Sequence, residues 1–150
     1  MRIAVIGQGY VGHALTAEAL TAGYEVVGID LDEVKIQQLN VNFKEVNYEV
    51  THDFEKIKSC EVVVIAVPTP LDVDRKPDTQ ALKSALSSMK LYLTEGTLVI
   101  NESTSYPGTL RNLVAARLGG GYLYAAAPER IDPGNSNWNI RNTPRVISGL

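Results

Sequence analysis

Short runs of Val, Ile and Ala that do not alternate with polar residues constrain this chain more than any other feature. "RIAVIG", "YEVVGID", "SCEVVVIAVPTP", "GTLVI" and "YLYAAAP" are separated by longer segments with helical spacing: "YVGHALTAEALTAG", "LDEVKIQQLN", "DTQALKSALSSMKLYL" and "PGTLRNLVAARLG". A strand with one wet face alternates apolar and polar residues, whereas a strand buried on both faces need not. The third helical segment sets Leu82, Ala85, Leu86, Met89 and Leu93 at three- and four-residue steps, which makes one apolar stripe to lie on a sheet. Strand and helix in strict alternation predict an α/β fold: a parallel sheet with helices on both faces. Right-handed crossovers then make it a Rossmann-type, doubly wound sheet.

The segment from Val41 to Thr51, "VNFKEVNYEVT", is the least patterned; Tyr48 and Val50 alternate with polar residues and suggest a short third strand. A length of 150 residues, with 45% hydrophobic and 21% charged, fits one domain that buries a core. The formal charge of −3 and the lack of a Lys/Arg cluster argue against nucleic acid or an anionic membrane as partner. A single cysteine, Cys60, cannot form an internal disulfide and fits a reducing compartment. No apolar run approaches the ~18 residues of a membrane span, and no leader-like segment follows Met1, so a cytoplasmic location is expected. The final "RVISG" looks like a strand with no helix after it to cover its face, which predicts that residues 1–150 are a fragment, or one domain, of a longer chain.

Chemistry concentrates where strands end. Gly7-Gln8-Gly9-Tyr10-Val11-Gly12 follows the first strand and opens the first helix. In that setting Gly7 serves a tight turn, Gly9 the close approach of a pyrophosphate, and Gly12 helix-to-strand packing, while the helix start offers unpaired N–H groups to phosphates. A glycine-rich turn without a ligand is the plain alternative. Asp30 ends the second strand 18 residues after Gly12, where such folds place the acid that binds the adenosine ribose. Its charge would repel a 2′-phosphate and so favour NAD over NADP. Lys35, one turn into the next helix, could reach the same ribose or the phosphates, or be a solvated helix lysine. "PTPLDVDRKPDT" follows the next strand as a proline-stiffened loop, with Asp78 and Thr79 as caps of the helix after it. "INESTSYPGT" brings Glu102, Ser103, Thr104 and Ser105 to the same edge, with Pro107 suited to a first helical turn. "AAPERIDPGN" places Glu129 and Arg130 after the last clear strand, as cleft residues or as a surface pair. His13 has no second ligand at metal spacing, so no metal site is expected. Cys60 has no cationic neighbour to lower its pKa.

Taken in order, "GQGYVG", "AVPTPLD", "NESTSYPGT" and "PERIDPGN" resemble the amino-terminal domain of the UDP-glucose/GDP-mannose dehydrogenase family, over nearly the whole chain. "PERIDPG" is more similar to the branch acting on UDP-N-acetylhexosamines. The resemblance implies oxidation of a UDP-sugar's C6 alcohol to a carboxylate with two NAD, through a cysteine thioester. It assigns Gly7, Gly9, Tyr10, Val11, Gly12, Asp30 and Lys35 to the adenosine and pyrophosphate, and Val67, Thr69, Ser103 and Thr104 to the nicotinamide side. Thr104 would position a water and Glu129 would assist hydrolysis of the thioester. Arg130, Ile131 and Asp132 would lie along the nucleotide sugar.

Two departures stand out. The segment around "LNVNFKEVNYEVT" is shorter than is usual in the family, and the family's cysteine nucleophile, Lys and Asn belong to later domains, through which the parent enzyme would also form a homodimer. Without a positioned thiol the covalent step has no nucleophile, so the chain is expected to bind NAD without turnover. Two other readings remain: the NAD-binding domain of another dehydrogenase, such as one acting on β-hydroxyacids, and a non-catalytic dinucleotide-sensing module.

Overall fold

A computed structural model describes residues 1–43, 46–130 and 137–150. Its strands are β1 (Arg2–Ile6), β2 (Glu25–Ile29), β3 (Tyr48–Thr51), β4 (Val62–Ile65), β5 (Leu98–Asn101), β6 (Leu123–Ala126) and β7 (Ser148–Gly149), in one sheet of order β3-β2-β1-β4-β5-β6-β7. β1 to β6 are all parallel, and β7 returns antiparallel to β6. The helices are α1 (Tyr10–Thr21), α2 (Glu33–Asn42), α3 (Gln80–Met89) and a fourth, α4, wound as π-helix over Leu110–Ala115 and as α-helix over Ala116–Leu118. A 3₁₀ turn over Phe54–Ser59 precedes β4. This is the Rossmann-type, doubly wound sheet expected from the alternation of runs, and no described helix is long and apolar enough to cross a membrane.

Both faces of the central strands are buried, which is why their sequences do not alternate. Ala4, Ile6, Val27, Ile29, Val63, Ile65 and Val99 pack with α3, α4 and Ile57 of the 3₁₀ turn. Ile3, Val5, Val26 and Val64 face the other way, onto Leu15, Ala19 and Leu20 of α1. The stripe of α3 is as read, with Leu82, Ala85, Leu86 and Met89 buried, but the helix stops at Met89. Leu93 lies beyond it and still packs against the core.

Local details depart from the sequence reading at two helix starts. Pro107 is not in a first turn, because α4 begins only at Leu110, after Gly108 at φ +87°. At α3, Asp78 accepts from the Gln80 N–H at 2.8 Å, whereas the Thr79 side chain makes no capping bond. The short third strand is present. Its outer edge is closed by a side chain: Asn40 of α2 donates Nδ2–H to the Val50 carbonyl at 2.8 Å and accepts the Val50 N–H at 3.0 Å. A single amide thus stands in for one step of a further strand.

The carboxyl ends of β1 to β6 all open onto one edge. The chain leaves β1 toward β2 and later comes back to β4 on the other side of β1, so the connections diverge there and leave a crevice. Leu86 is fully buried between α3 and the sheet. Leu86→Ala is expected to lower unfolding stability by about 3 kcal/mol through lost burial and a residual cavity, read as a drop in urea midpoint at unchanged slope.

Candidate functional site

A cleft of about 850 Å³ runs along that edge, from β2 across β1 and β4 to β5 and the end of β6. Its first wall is the glycine loop. Gly7 turns at φ +90° and lies against the end of β4, where a Cβ would come within 2.5 Å of the Ala66 carbonyl oxygen. Gly12 sits beneath the loop, where a Cβ would overlap the Gly7 carbonyl and touch Val5. Gly9 differs from both: a Cβ there would meet nothing within 4 Å, because it faces the open cleft. Gly9 is also the N-cap of α1, so no side chain caps the first turn, which carries no acid. Its N–H groups therefore point at the cleft without an intrahelical partner.

Gln8, passed over as a spacer in the sequence, organises this wall. Its side chain is buried, donating Nε2–H to the Val5 carbonyl at 2.9 Å and accepting from the Tyr48 hydroxyl at 3.0 Å and Thr16 at 3.3 Å. Burial first, and the Asp30 charge second, push the Tyr48 phenol well above its ordinary value, so it remains a donor. Gly28 makes room: a Cβ there would come within 2.8 Å of the Gln8 side chain. An isolated glycine inside "EVVGID" was the legible signal of that close approach.

Asp30 closes the adjacent end. It accepts the Gln8 N–H at 2.8 Å, the Asp32 N–H at 3.0 Å and Lys35 Nζ at 2.9 Å. Burial alone would raise its pKa, but the hydrogen bonds from Asp32, Lys35 and Gln8, with the Lys35 charge, hold it below the ordinary value. Lys35 is therefore no solvated bystander; its ammonium lies at the same corner as the carboxylate.

At the far end two loops are tied together. Ser103 Oγ donates to the Val67 carbonyl at 2.9 Å, and Thr69 Oγ1 to the Thr104 carbonyl at 2.5 Å. Tyr10, Val11, Val67, Thr69, Ser103, Thr104 and Glu129 all line the cleft with Gly7, Gly9, Asp30 and Lys35. Gly12 lies under it, and Arg130 is outside the lining, with its guanidinium toward the Pro144 carbonyl at 3.4 Å. Ile131 and Asp132 lie outside the described residues.

Glu129 is not half of a surface pair with Arg130: its side chain is 3% exposed and is held by Arg145, which also bonds Glu102. Arg145 was not singled out in the sequence, although two acids at one apolar edge call for a cation. Burial, set against the Arg145 charge and reinforced by Glu129, pushes the Glu102 carboxyl up to about 7. Cys60 is buried just ahead of β4, away from the cleft, and burial pushes its thiol up to about 11. No group of His, Cys, Asp and Glu among the described residues could hold a metal.

A sequence model of the UDP-glucose/GDP-mannose dehydrogenase family, NAD binding domain, matches residues 1–45 and 40–150. The chain belongs to that family. The two matched stretches meet at residues 40–45, ahead of β3. Among curated relatives, the UDP-N-acetyl-D-glucosamine 6-dehydrogenase of Salmonella typhi is 33% identical over 99% of this chain and 40% of its own length. The UDP-N-acetyl-D-mannosamine dehydrogenase of Pyrococcus horikoshii is 35% identical over 100% of this chain and 41% of its own. A solved structure of the UDP-D-ManNAc dehydrogenase from Pyrococcus horikoshii superposes with a TM-score of 0.86 at 31% identity, covering 99% of this chain and 41% of that one. The chain thus spans about 40% of the length of these relatives.

Asp30 links the family's glycine loop to stability as well. A carboxylate with a lowered folded pKa stabilises the fold above its ordinary value of 3.8, and that contribution is lost as pH falls through the lower folded value. Asp30→Asn is expected to be less stable than the parent at pH 7, with the gap closing below about pH 4, as measured by urea midpoints across pH.

Proposed function

We propose that this chain holds NAD in a nucleotide-sugar 6-dehydrogenase that oxidises the C6 alcohol of a UDP-N-acetylhexosamine to the uronate. The observation that carries the reading is Gly9: it faces open space at the uncapped start of α1, in one cleft with Asp30, Thr104 and Glu129. A pyrophosphate needs close backbone approach and N–H donors, and both are available at that point. The residues present therefore fit the dinucleotide. The UDP-N-acetylhexosamine preference is supported by the names of the relatives and by "PERIDPG" in this chain.

In this reading Gly7, Gly9, Tyr10, Val11 and Gly12 hold the pyrophosphate, directly or by shaping the turn. Asp30 accepts from the adenosine ribose, with Lys35 beside it. Val67, Thr69, Ser103 and Thr104 line the nicotinamide side. When bound, NAD supplies the hydride acceptor. Thr104, exposed in the cleft and anchored through Thr69, positions a water, and Glu129 takes a proton from it. Arg130, Ile131 and Asp132 serve the nucleotide sugar. The thiol that a covalent intermediate needs is not Cys60, which lies away from the cleft with a thiol pKa of about 11. It would have to come from a part of the enzyme outside these 150 residues.

Gly9→Val separates ligand binding from folding. The backbone of Gly9 is extended, at φ −75° and ψ −162°, and a Cβ has room there. The variant is expected to keep parental stability within about 0.5 kcal/mol while losing NAD binding, followed by calorimetry. Equal NAD affinity in Gly9→Val would remove the pyrophosphate assignment. The same titrations with NADP are expected to give at least about tenfold weaker binding, because a 2′-phosphate would meet the Asp30 carboxylate. The 150-residue chain should bind NAD but leave a UDP-sugar unoxidised.

A further inference from the structure

Three ionisable side chains from three separate segments meet at the sugar end of the cleft. Glu102 directly follows β5, Glu129 follows β6, and Arg145 stands in the segment that returns to pair β7 with β6. Arg145 Nη1 donates to Glu102 Oε1 at 3.1 Å and Oε2 at 3.4 Å, and its Nη2 donates to Glu129 Oε2. The Glu102 and Glu129 side chains are 6% and 3% exposed, and that of Arg145 is 19% exposed. The backbone joins them too, since the Glu129 N–H points to the Glu102 carbonyl at 3.4 Å.

Two buried carboxylates sharing one guanidinium leave an excess negative charge that one proton would remove. The geometry decides which acid carries it. Glu129 receives a donor on each oxygen: Arg145 on Oε2 and the Arg130 backbone N–H on Oε1 at 2.6 Å. Among the described residues the Glu102 carboxyl receives Nη1 of Arg145, divided between its two oxygens at longer range. Charge-assisted donors favour the anion. We propose that Arg145 is a positioning residue that binds Glu102 and Glu129 into one cluster, with the proton on Glu102 and Glu129 held as the carboxylate that faces the substrate side.

This inference rests on the role given to Glu129 above. It also assigns a purpose to the two-residue strand β7: the ladder to Ala125 and Ala126, with the Leu150 N–H on the Tyr124 carbonyl at 3.1 Å, holds Arg145 three residues upstream in place. Only a forked guanidinium can serve two carboxylates from separate nitrogens; an ammonium is a single point of charge. The elevated Glu102 pKa, caused by burial and by the Glu129 charge against the opposing pull of Arg145, agrees with a proton there. The described loop after β4, packed beside Glu102 through the Ile65 carbonyl, brings no ionisable group from Ala66 to Pro70, and Asp30 and Lys35 lie at the other end of the cleft.

The test is a carbon-13 NMR titration of glutamate Cδ in the 150-residue chain, with the Glu102 signal assigned by its loss in Glu102→Gln. A Glu102 midpoint near 7 is expected. Glu129→Gln should move it down and Arg145→Met up, each by about one pH unit or more. Arg145→Lys, which keeps the charge and guards against a misfolded Met variant, should also shift it because the bridge is lost. A midpoint in the ordinary carboxyl range of roughly 4 to 5, or one indifferent to both Glu129→Gln and Arg145→Lys, overturns the cluster. NAD calorimetry on the parent chain keeps the two readings distinct. Absence of NAD binding sinks the proposed cofactor role whatever Glu102 does, whereas binding with an uncoupled Glu102 sinks only the role of Arg145.

Discussion

The contact on which the rest of the site depends is the one between Gly7 and the backbone of Ala66. β1 and β4 are neighbours in register, Ile6 beside Ile65, and the two chains part only after those residues. Because nothing but hydrogen projects from the Gly7 Cα, the turn can lie 2.5 Å (measured to a would-be Cβ) from the Ala66 carbonyl before it swings into α1. A side chain at that position would push the loop off β4, and with it the start of the helix. The glycine-loop wall of the cleft is thereby fixed to the wall after β4, since Ala66 leads directly into Val67 and Thr69.

A second constraint runs from the glycine loop to the opposite edge of the sheet. Gln8 joins Val5, Thr16 and Tyr48 through its amide, while its own N–H goes to Asp30. The buried side-chain amide thus ties together β1, α1 and β3, and the backbone N–H adds the end of β2. A half-satisfied amide in this position would be costly, and every one of its bonds crosses between elements. The position of Asp30 is therefore set by the glycine loop itself. Tyr48 takes part because it already stands on β3.

Much of the fold was legible because burial on both faces erases alternation in a strand, and the sequence carries that erasure in five runs. The length of α3 was not, since Leu93 keeps the helical step while lying outside the helix; a periodic residue packs on the core from a turn as well as from a helix. At the site, residues that face a cleft from strand ends were readable by motif. Those that act on other side chains were harder. Gln8 hid behind its neighbouring glycines, although Gly28 was its trace. Arg145 hid because its partners are distant by 43 and 16 residues, and only the return of β7 brings it to them.

The cleft treats its acids in opposite ways. Asp30 is surrounded by N–H groups and an ammonium that lower its pKa, so the carboxylate is already paired. Glu102 sits in a more closed place where burial outweighs one shared guanidinium, and its pKa rises to about 7. Two environments on one fold thus drive two carboxyl groups apart. The separation follows from backbone geometry. The Asp32 N–H of the loop after β2 and the Gln8 N–H of the glycine loop go to the Asp30 carboxylate, whereas the Glu102 and Ser103 N–H groups after β5 go to the Ile65 carbonyl and leave the Glu102 carboxyl to a side chain. The carboxyl with the lowered pKa thus settles at the β2 corner and the one with the raised pKa at the β5 corner, at the two ends of one cleft.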